Sequence, residues 1–302
     1  VNETPPSNES QKGLASAIAA FTIWGLFPVY FVWTQAVPAV EMVAHRVVWS
    51  LPFGLAVLFV LKQWRALVTA MRSPKTLGFL FLAAVFLAVN WGVYIYAIQI
   101  GEIFQGSLGY YINPLFNVLV GFLVFKERLS RWQTFAIALA ATGVAILTIY
   151  GGVFPWISLI LASTFCVYGA LRKFVEVPAM AGLMVEVLVL ILPALGYLLW
   201  VGHQGASLFG QDIGLTLLLL AAGPITLIPL LCFTFAARRI RLSTLGVLQF
   251  IGPTLQFACG LYYGEQFTTA HAWCFGFIWA GVALFALDAA AQTRRPISTP
   301  SA

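Results

Sequence analysis

Tyr110-Tyr111-Ile112-Asn113-Pro114-Leu115-Phe116-Asn117, followed by Gly121, is echoed later in the chain by Gln249-Phe250-Ile251-Gly252-Pro253-Thr254-Leu255-Gln256, followed by Gly260. Tyr110 and Gln249, Asn113 and Gly252, Pro114 and Pro253, Asn117 and Gln256, and Gly121 and Gly260 are each 139 residues apart. Outward from this pair, Glu127 and Gly143 match Glu265 and Gly281 at 138. Val37-Pro38-Ala39 matches Val177-Pro178-Ala179 at 140, Pro52 matches Pro193 at 141, and Trp24-Gly25 corresponds to Tyr168-Gly169 at 144. A slowly drifting offset is what duplication followed by small insertions and deletions leaves behind.

The medium in which these halves fold is read from composition. Of 302 residues, 61% are hydrophobic and only 9% charged, against roughly 25% charged in a soluble domain. Lipid is the solvent that suits such a surface. A spanning helix needs about 20 mostly apolar residues. The apolar runs predict helices at 14–33, 41–61, 76–99, 103–125 and 132–150, then at 153–171, 180–201, 214–237, 243–263 and 270–289. The expected fold is all-α and integral to the membrane, with ten spans. The first repeat is 13–150 and the second 151–290, flanked by tails 1–12 and 291–302. The polar segment Val1 to Lys12 lacks the architecture of a cleavable signal, so the first helix is expected to be retained.

The net charge is +6, yet the basic residues form short clusters rather than a nucleic-acid-binding face. Lys12, Lys62 to Lys75, Lys126 to Arg131, Arg172-Lys173, Arg238 to Arg241 and Arg294-Arg295 fall in alternate loops, so that fifteen of the sixteen Lys and Arg share one side. The positive-inside rule places both termini in the cytoplasm. Five helices per repeat is an odd number, so the second copy runs upside down relative to the first. Inverted repeats characterise many secondary transporters, with the substrate site between them near the midplane.

Several residues are expensive to hold in hydrocarbon. Tyr110, Asn113, Asn117 and Gly121 form one helical stripe, and Gln249, Gly252, Gln256 and Gly260 repeat it. An unpaired amide in lipid costs several kcal/mol, roughly 4–8 on the strictest scale, so both stripes are expected to face protein or a polar cavity. Packing through Gly with amides as glue is the plainer alternative. Pro114 and Pro253 free carbonyls in the preceding turn and serve as candidate hinges. Glu41, His45 and Trp49 share a face at i, i+4, i+8, with Arg46 adjacent. Arg46 is the one basic residue outside the clusters, and an intramembrane ion is functional by default. The competing reading for Arg46, Glu41 and Glu186 is snorkelling to the headgroups. Glu186 occupies the position of His45 in the second repeat. His45 titrates near neutral pH and is able to relay protons, although a lone histidine is more often simply hydrogen-bonded. Trp24, Asn90, Trp91, Tyr94 and Tyr111 complete an expected aromatic and polar lining.

Enzyme signals are missing: no HExxH, GxSxG, Walker or phosphate-binding glycine motif occurs, and Cys166, Cys232, Cys259 and Cys274 lack metal-ligand spacing. No cofactor or metal is expected.

Ile23-Trp24-Gly25, His45-Arg46-Val47-Val48-Trp49-Ser50, Ser107 to Pro114, and Leu242-Ser243-Thr244-Leu245-Gly246 with Gln249 to Pro253 together resemble the RarD subfamily of bacterial EamA-domain proteins, within the drug/metabolite transporter superfamily. The resemblance covers roughly residues 11–290. It implies two inverted five-helix repeats and a central cavity lined by helices 1–4 and 6–9, with helices 5 and 10 peripheral. It also implies a bacterial inner membrane and secondary transport. RarD proteins are named for chloramphenicol sensitivity, and the superfamily moves amino acids, other metabolites and drugs. The expectation is export or exchange of small amphipathic molecules by alternating access. The substrate would be anionic or zwitterionic, with proton coupling or exchange and a homodimer as further possibilities. The rival reading is a flippase for a lipid-linked substrate, or a membrane scaffold.

Overall fold

The computed structural model describes residues 8–126 and 130–293; Glu127, Arg128, Arg294, Arg295 and parts of both tails lie outside the described residues. Within them the chain is helical, without strands: α1 (Asn8–Gly25), α2 (Phe27–Trp33), α3 (Ala39–Val60), α4 (Trp64–Arg72), α5 (Pro74–Gln99), α6 (Ile103–Phe125), α7 (Arg131–Ile149), α8 (Trp156–Lys173), α9 (Ala179–His203), α10 (Ile213–Ala237), α11 (Leu242–Leu248), α12 (Ile251–Tyr262) and α13 (Thr269–Thr293). Among the described residues, eight stretches are long and apolar enough to cross a membrane, α1 with α2 and α11 with α12 each counting as one. The expected spans at 103–125 and 153–171 are present as α6 and α8 but are not among the eight. The second closes on Arg172 and Lys173, which lower its mean hydropathy.

Three features depart from a plain ten-segment reading, each for a local reason. The first expected helix breaks at Leu26, because Pro28 cannot donate to the carbonyl of Trp24. The ninth breaks at Gln249-Phe250, where Pro253 leaves the Gln249 carbonyl to the Gly252 N–H at 3.2 Å. The basic stretch 62–75, expected as a loop, contains the short helix α4. It lays Leu67 and Ala70 on Val175, Met180 and Leu183 while its Arg65 and Arg72 stay exposed.

The helices run between two end faces. At the near face, Glu9 of α1 meets Arg239 beyond α10 at 2.8 Å. At the far face, Gln99 donates to the Val37 carbonyl at 2.7 Å, and Gln105 accepts from Ile157 N–H at 3.3 Å. Between the faces α7 packs on α13, α3 on α9, α6 on α12, α5 on α8, α1 on α10, α3 on α10, α5 on α9, α6 on α8 and α1 on α12. Where α7 and α13 touch, the contact is reciprocal. A Cβ on Gly143 would lie 2.8 Å from the Cys274 carbonyl oxygen, and a Cβ on Gly281 would lie 2.8 Å from the Ala136 carbonyl oxygen. Both glycines are therefore required for backbone approach.

At the far face Glu265 Oε2 accepts the Phe104 N–H at 2.8 Å, in the first turn of α6. Burial pushes this carboxyl up to about 8, helped by Glu102 and opposed by the N–H groups of Phe104 and Ile103.

Two expectations follow. Gly143→Ala and Gly281→Ala should each destabilise the purified protein by about 1–3 kcal/mol, and by similar amounts, in thermal or denaturant unfolding. Glu265 holds its proton more tightly folded than unfolded, so its stabilising contribution is full below about pH 4.5 and is lost as pH rises through about 8. Glu265→Gln keeps an acceptor for Phe104 and should flatten the fall of melting temperature between about pH 5 and 9.

Candidate substrate site

The face predicted for α3 forms as expected. Trp49 Nε1–H donates to His45 Nδ1 at 3.2 Å. On the other side of the ring, His45 Nε2 lies 3.8 Å from Glu41 Oε1, and neither of those two atoms has a hydrogen-bond partner. Phe209, from the segment between α9 and α10, stacks over both rings, 5.4 Å from His45 and 5.7 Å from Trp49.

Arg46 points the other way, into the bundle. It is 3% exposed, as is His45, and Glu41 is 1% exposed, so neither Arg46 nor Glu41 snorkels. Arg46 Nε–H donates to Thr226 Oγ1 at 3.1 Å, and that hydroxyl passes its own hydrogen to the Ala222 carbonyl. The guanidinium carbon sits 4.1 Å from the Trp91 ring centre and 5.6 Å from those of Phe27 and Phe31. The positive charge thus faces the negative faces of three aromatic rings. Among the described residues no carboxylate pairs with it; Glu41, on the same helix, is turned to His45 instead.

A polar ladder continues along α5. Asn90 donates to the Leu161 carbonyl and to Thr164 Oγ1, both at 2.9 Å, and accepts from the Tyr110 hydroxyl at 3.3 Å. Tyr94 meets Tyr110 edge-on at 5.5 Å. The amide of Gln256 donates to the Trp24 carbonyl at 3.2 Å, the oxygen that Pro28 leaves without an intrahelical donor. The hydroxyl of Tyr94, Oδ1 of Asn113 and Oε1 of Gln256 are buried without a protein partner.

Not all expected site residues join this locus. Asn117 is exposed and Gln249 is half-buried at the α11–α12 break. Tyr111 turns to Thr254, its hydroxyl 2.7 Å from Oγ1, and with Phe250 and Trp279 lines a groove of about 350 Å³. Glu186 lies towards the near face, 1% exposed, with Arg172 Nη1 at 3.3 Å and the Tyr168 hydroxyl at 3.4 Å. Arg172 reaches it by lying across Gly182, where any Cβ would collide with the guanidinium. Pro114 lies within an unbroken α6.

Sequence reasoning passed over Thr226, Phe27, Phe31, Phe209 and Arg172. Thr226 sits in one of the most apolar helices of the chain, where nothing distinguishes it. Phe27, Tyr30 and Phe31 share one face of α2, a pattern submerged in a chain that is 15% aromatic. Arg172 was absorbed into the basic clusters.

Comparison with known proteins agrees with this architecture. Residues 11–149 match the EamA-like transporter family. An uncharacterized transporter of Vibrio cholerae is 42% identical over 94% of this chain and 95% of its own length. Protein RarD of Salmonella typhi is 42% identical over 96% of this chain and 99% of its own. A crystal structure of a protein 19% identical superimposes with a TM-score of 0.62 over 95% of this chain and 99% of the other, a likeness of fold. This multi-pass membrane chain belongs to the EamA-like transporter family, in its RarD-type branch.

Proposed function

We propose that the protein is a secondary active transporter that moves a small amphipathic molecule by alternating access, with Arg46 at the substrate site. One observation carries the reading: a guanidinium buried within the helix bundle, held by aromatic faces and one hydroxyl, with no carboxylate partner among the described residues. An uncompensated buried charge is costly, and in a membrane it marks a pathway. A carboxylate or similar anionic group on the substrate, free or within a zwitterion, supplies the missing charge and fits the guanidinium fork. Asn90, Trp91, Tyr94, Tyr110, Asn113, Gln256 and Trp24 form the surrounding path. His45 and Glu186 stand towards its two ends, and Tyr111, Asn117 and Gln249 lie along its flanks. Pro114 and Pro253 are its hinges; the break four residues before Pro253 favours that role.

The same reading takes the chain as ten crossings in two inverted repeats, 13–150 and 151–290. Its support is that the helix pairs come in mates. Exchanging first-half helices for their second-half counterparts turns α5–α8 into α10–α1, α3–α10 into α9–α5, and α6–α8 into α12–α1. Gly143 and Ala136 lie 138 positions before Gly281 and Cys274, so the reciprocal glycine contact is one contact seen twice. Tyr111 and Phe250, 139 apart, stack on each other at 6.3 Å and 16°. In this orientation the near face is cytoplasmic and the membrane is the bacterial inner membrane. The groove beside Tyr111 and Thr254 is the feature that favours a flippase instead, since a lipid-linked substrate needs a lateral entrance.

Reporter fusions after Arg295 and within 204–212 should report opposite compartments; agreement between them would end the ten-crossing count. In proteoliposomes loaded with a panel of labelled small carboxylates, with chloramphenicol as the neutral comparison, uptake of at least one carboxylate should fall to background in Arg46→Ala. It should be reduced about tenfold or more in Arg46→Lys, while both variants fold. Normal carboxylate uptake by both would remove Arg46 from the site. Scrambling of labelled lipid in place of solute uptake would select the flippase.

A further inference from the structure

Beyond the substrate site, we infer that His45 is the coupling-proton site of this transporter and that its protonation releases Phe209 as the outer lid. The lid has a meaning in transport only if the transport reading holds; the lid itself can be tested without transport.

The geometry determines the protonation state of the ring. Indole Nε1–H only donates, so the bond from Trp49 requires His45 Nδ1 to be the acceptor and the hydrogen to reside on Nε2. That Nε2 faces Glu41 Oε1 across 3.8 Å, too far for a hydrogen bond and close enough for an ion pair. Both atoms are buried and unpartnered. The ring is therefore poised between two arrangements. Neutral, it is bonded to Trp49 and stands off Glu41. As an imidazolium it has two donors, cannot accept from Trp49, and is drawn to the Glu41 carboxylate. In the step itself, one proton from the outer solution bonds to the lone pair of Nδ1. The Trp49 hydrogen bond is the interaction lost, and the ion pair with Glu41 is the one gained.

Phe209 registers this change because its ring rests on both partners, tilted 27° to His45 and 25° to Trp49. Separating the two rings removes the common platform. The segment that bears Phe209 is made to move. Gly205 and Gly210 flank it at φ +68° and +84°, the left-handed region that glycine adopts without strain. Its bonds are local ones: Phe209 N–H to Ser207 Oγ at 3.3 Å, Gly210 N–H to Thr216 Oγ1 at 2.9 Å, Gln211 N–H to the Leu208 carbonyl at 3.3 Å, the Gln211 amide to the Ser207 carbonyl at 2.6 Å and Ala206 N–H to the Val201 carbonyl at 3.1 Å. Ser207 and Leu208 face the Glu41 carboxyl, so the same carboxylate that would draw the imidazolium also touches the segment.

Other titratable groups around α3 do not duplicate this role. On α3 itself Arg46 points into the bundle. From α9, His203 is exposed at the outer surface, Tyr197 is a phenol and Glu186 lies at the opposite face. From α10, Asp212 is exposed and caps its own helix at Leu215 N–H. From α5 and α2 come the phenols Tyr94, Tyr96 and Tyr30, none of them bonded to His45 or Trp49. His45 is the group among these whose protonation breaks the bond to Trp49, the second ring under Phe209.

Hydrogen–deuterium exchange of the full chain in lipid nanodiscs, at about pH 8 and about pH 5.5 and corrected for intrinsic rates, tests the inference. Amides of 204–212 should exchange about fivefold faster at the acid pH, the population change expected when one hydrogen bond is lost. In His45→Gln, whose side-chain carbonyl accepts from Trp49 at either pH, the rise should vanish. In Trp49→Phe, which keeps a flat ring but no donor, the segment should exchange at the acid-state rate at both values. Equal protection of the wild type at both values overturns the inference, as does a rise that persists in His45→Gln. Should His45→Gln fail to fold, a normal acid rise in Trp49→Phe overturns it equally.

Discussion

The constraint on which this structure rests is that a polar group inside a bilayer has no water to turn to. A carbonyl that a proline deprives of its donor gains by finding another. Pro28 deprives the Trp24 carbonyl of its donor, and Gln256, from the other half of the sequence, supplies one. Beside it the Gly25 carbonyl faces Cys259 Sγ at 4.0 Å. Ser107 likewise reaches the carbonyl of Pro253 at 2.8 Å. The breaks in the first and ninth expected helices are thus also the points at which the two halves are fastened together.

The same scarcity of partners makes the buried charges informative. Glu186 is matched by Arg172, whose guanidinium lies across Gly182. Arg46 has aromatic faces, and cation–π contact of that kind is worth about 0.5–2 kcal/mol, well short of what a desolvated cation loses. Two similarly buried ions have been treated differently: one is compensated within the protein, and the other has no carboxylate partner among the described residues. That contrast, more than the mere presence of Arg46, singles out its surroundings as the place where an outside group belongs. His45 is the neighbour of Arg46 in α3 and lies about 100° round the helix from it, so the two side chains meet different surroundings.

How far the sequence reaches is seen best in individual residues. The helices were legible because apolar runs of about 20 residues between basic clusters permit little else in lipid. The shared face of Glu41, His45 and Trp49 was legible because helical spacing is a local property. The break at Leu26 was in principle readable from Pro28, yet the apolar run across it is unbroken, and hydropathy does not register a missing donor. Asn117 shows the limit of the stripe argument: it has the spacing of a pathway residue, but whether that face looks inward depends on which neighbour covers it, and it is exposed.

By itself, then, the sequence determined that this chain is helical and lives in a membrane, that it resembles a RarD-type transporter, and which polar residues hydrocarbon would not tolerate without reason. Those are consequences of composition, spacing and local motifs. Only the tertiary structure decided partners. It turned Glu41 to His45 rather than to Arg46, set Trp91 and Thr226 against the guanidinium, brought Phe209 over His45 from far along the chain, and gave Glu186 an arginine from a topology cluster. The physical reason is that a buried charge is satisfied through space. The groups that satisfy it lie on other helices, Arg172 of α8 for Glu186 of α9 and Thr226 of α10 for Arg46 of α3, and no pattern along the chain pairs them.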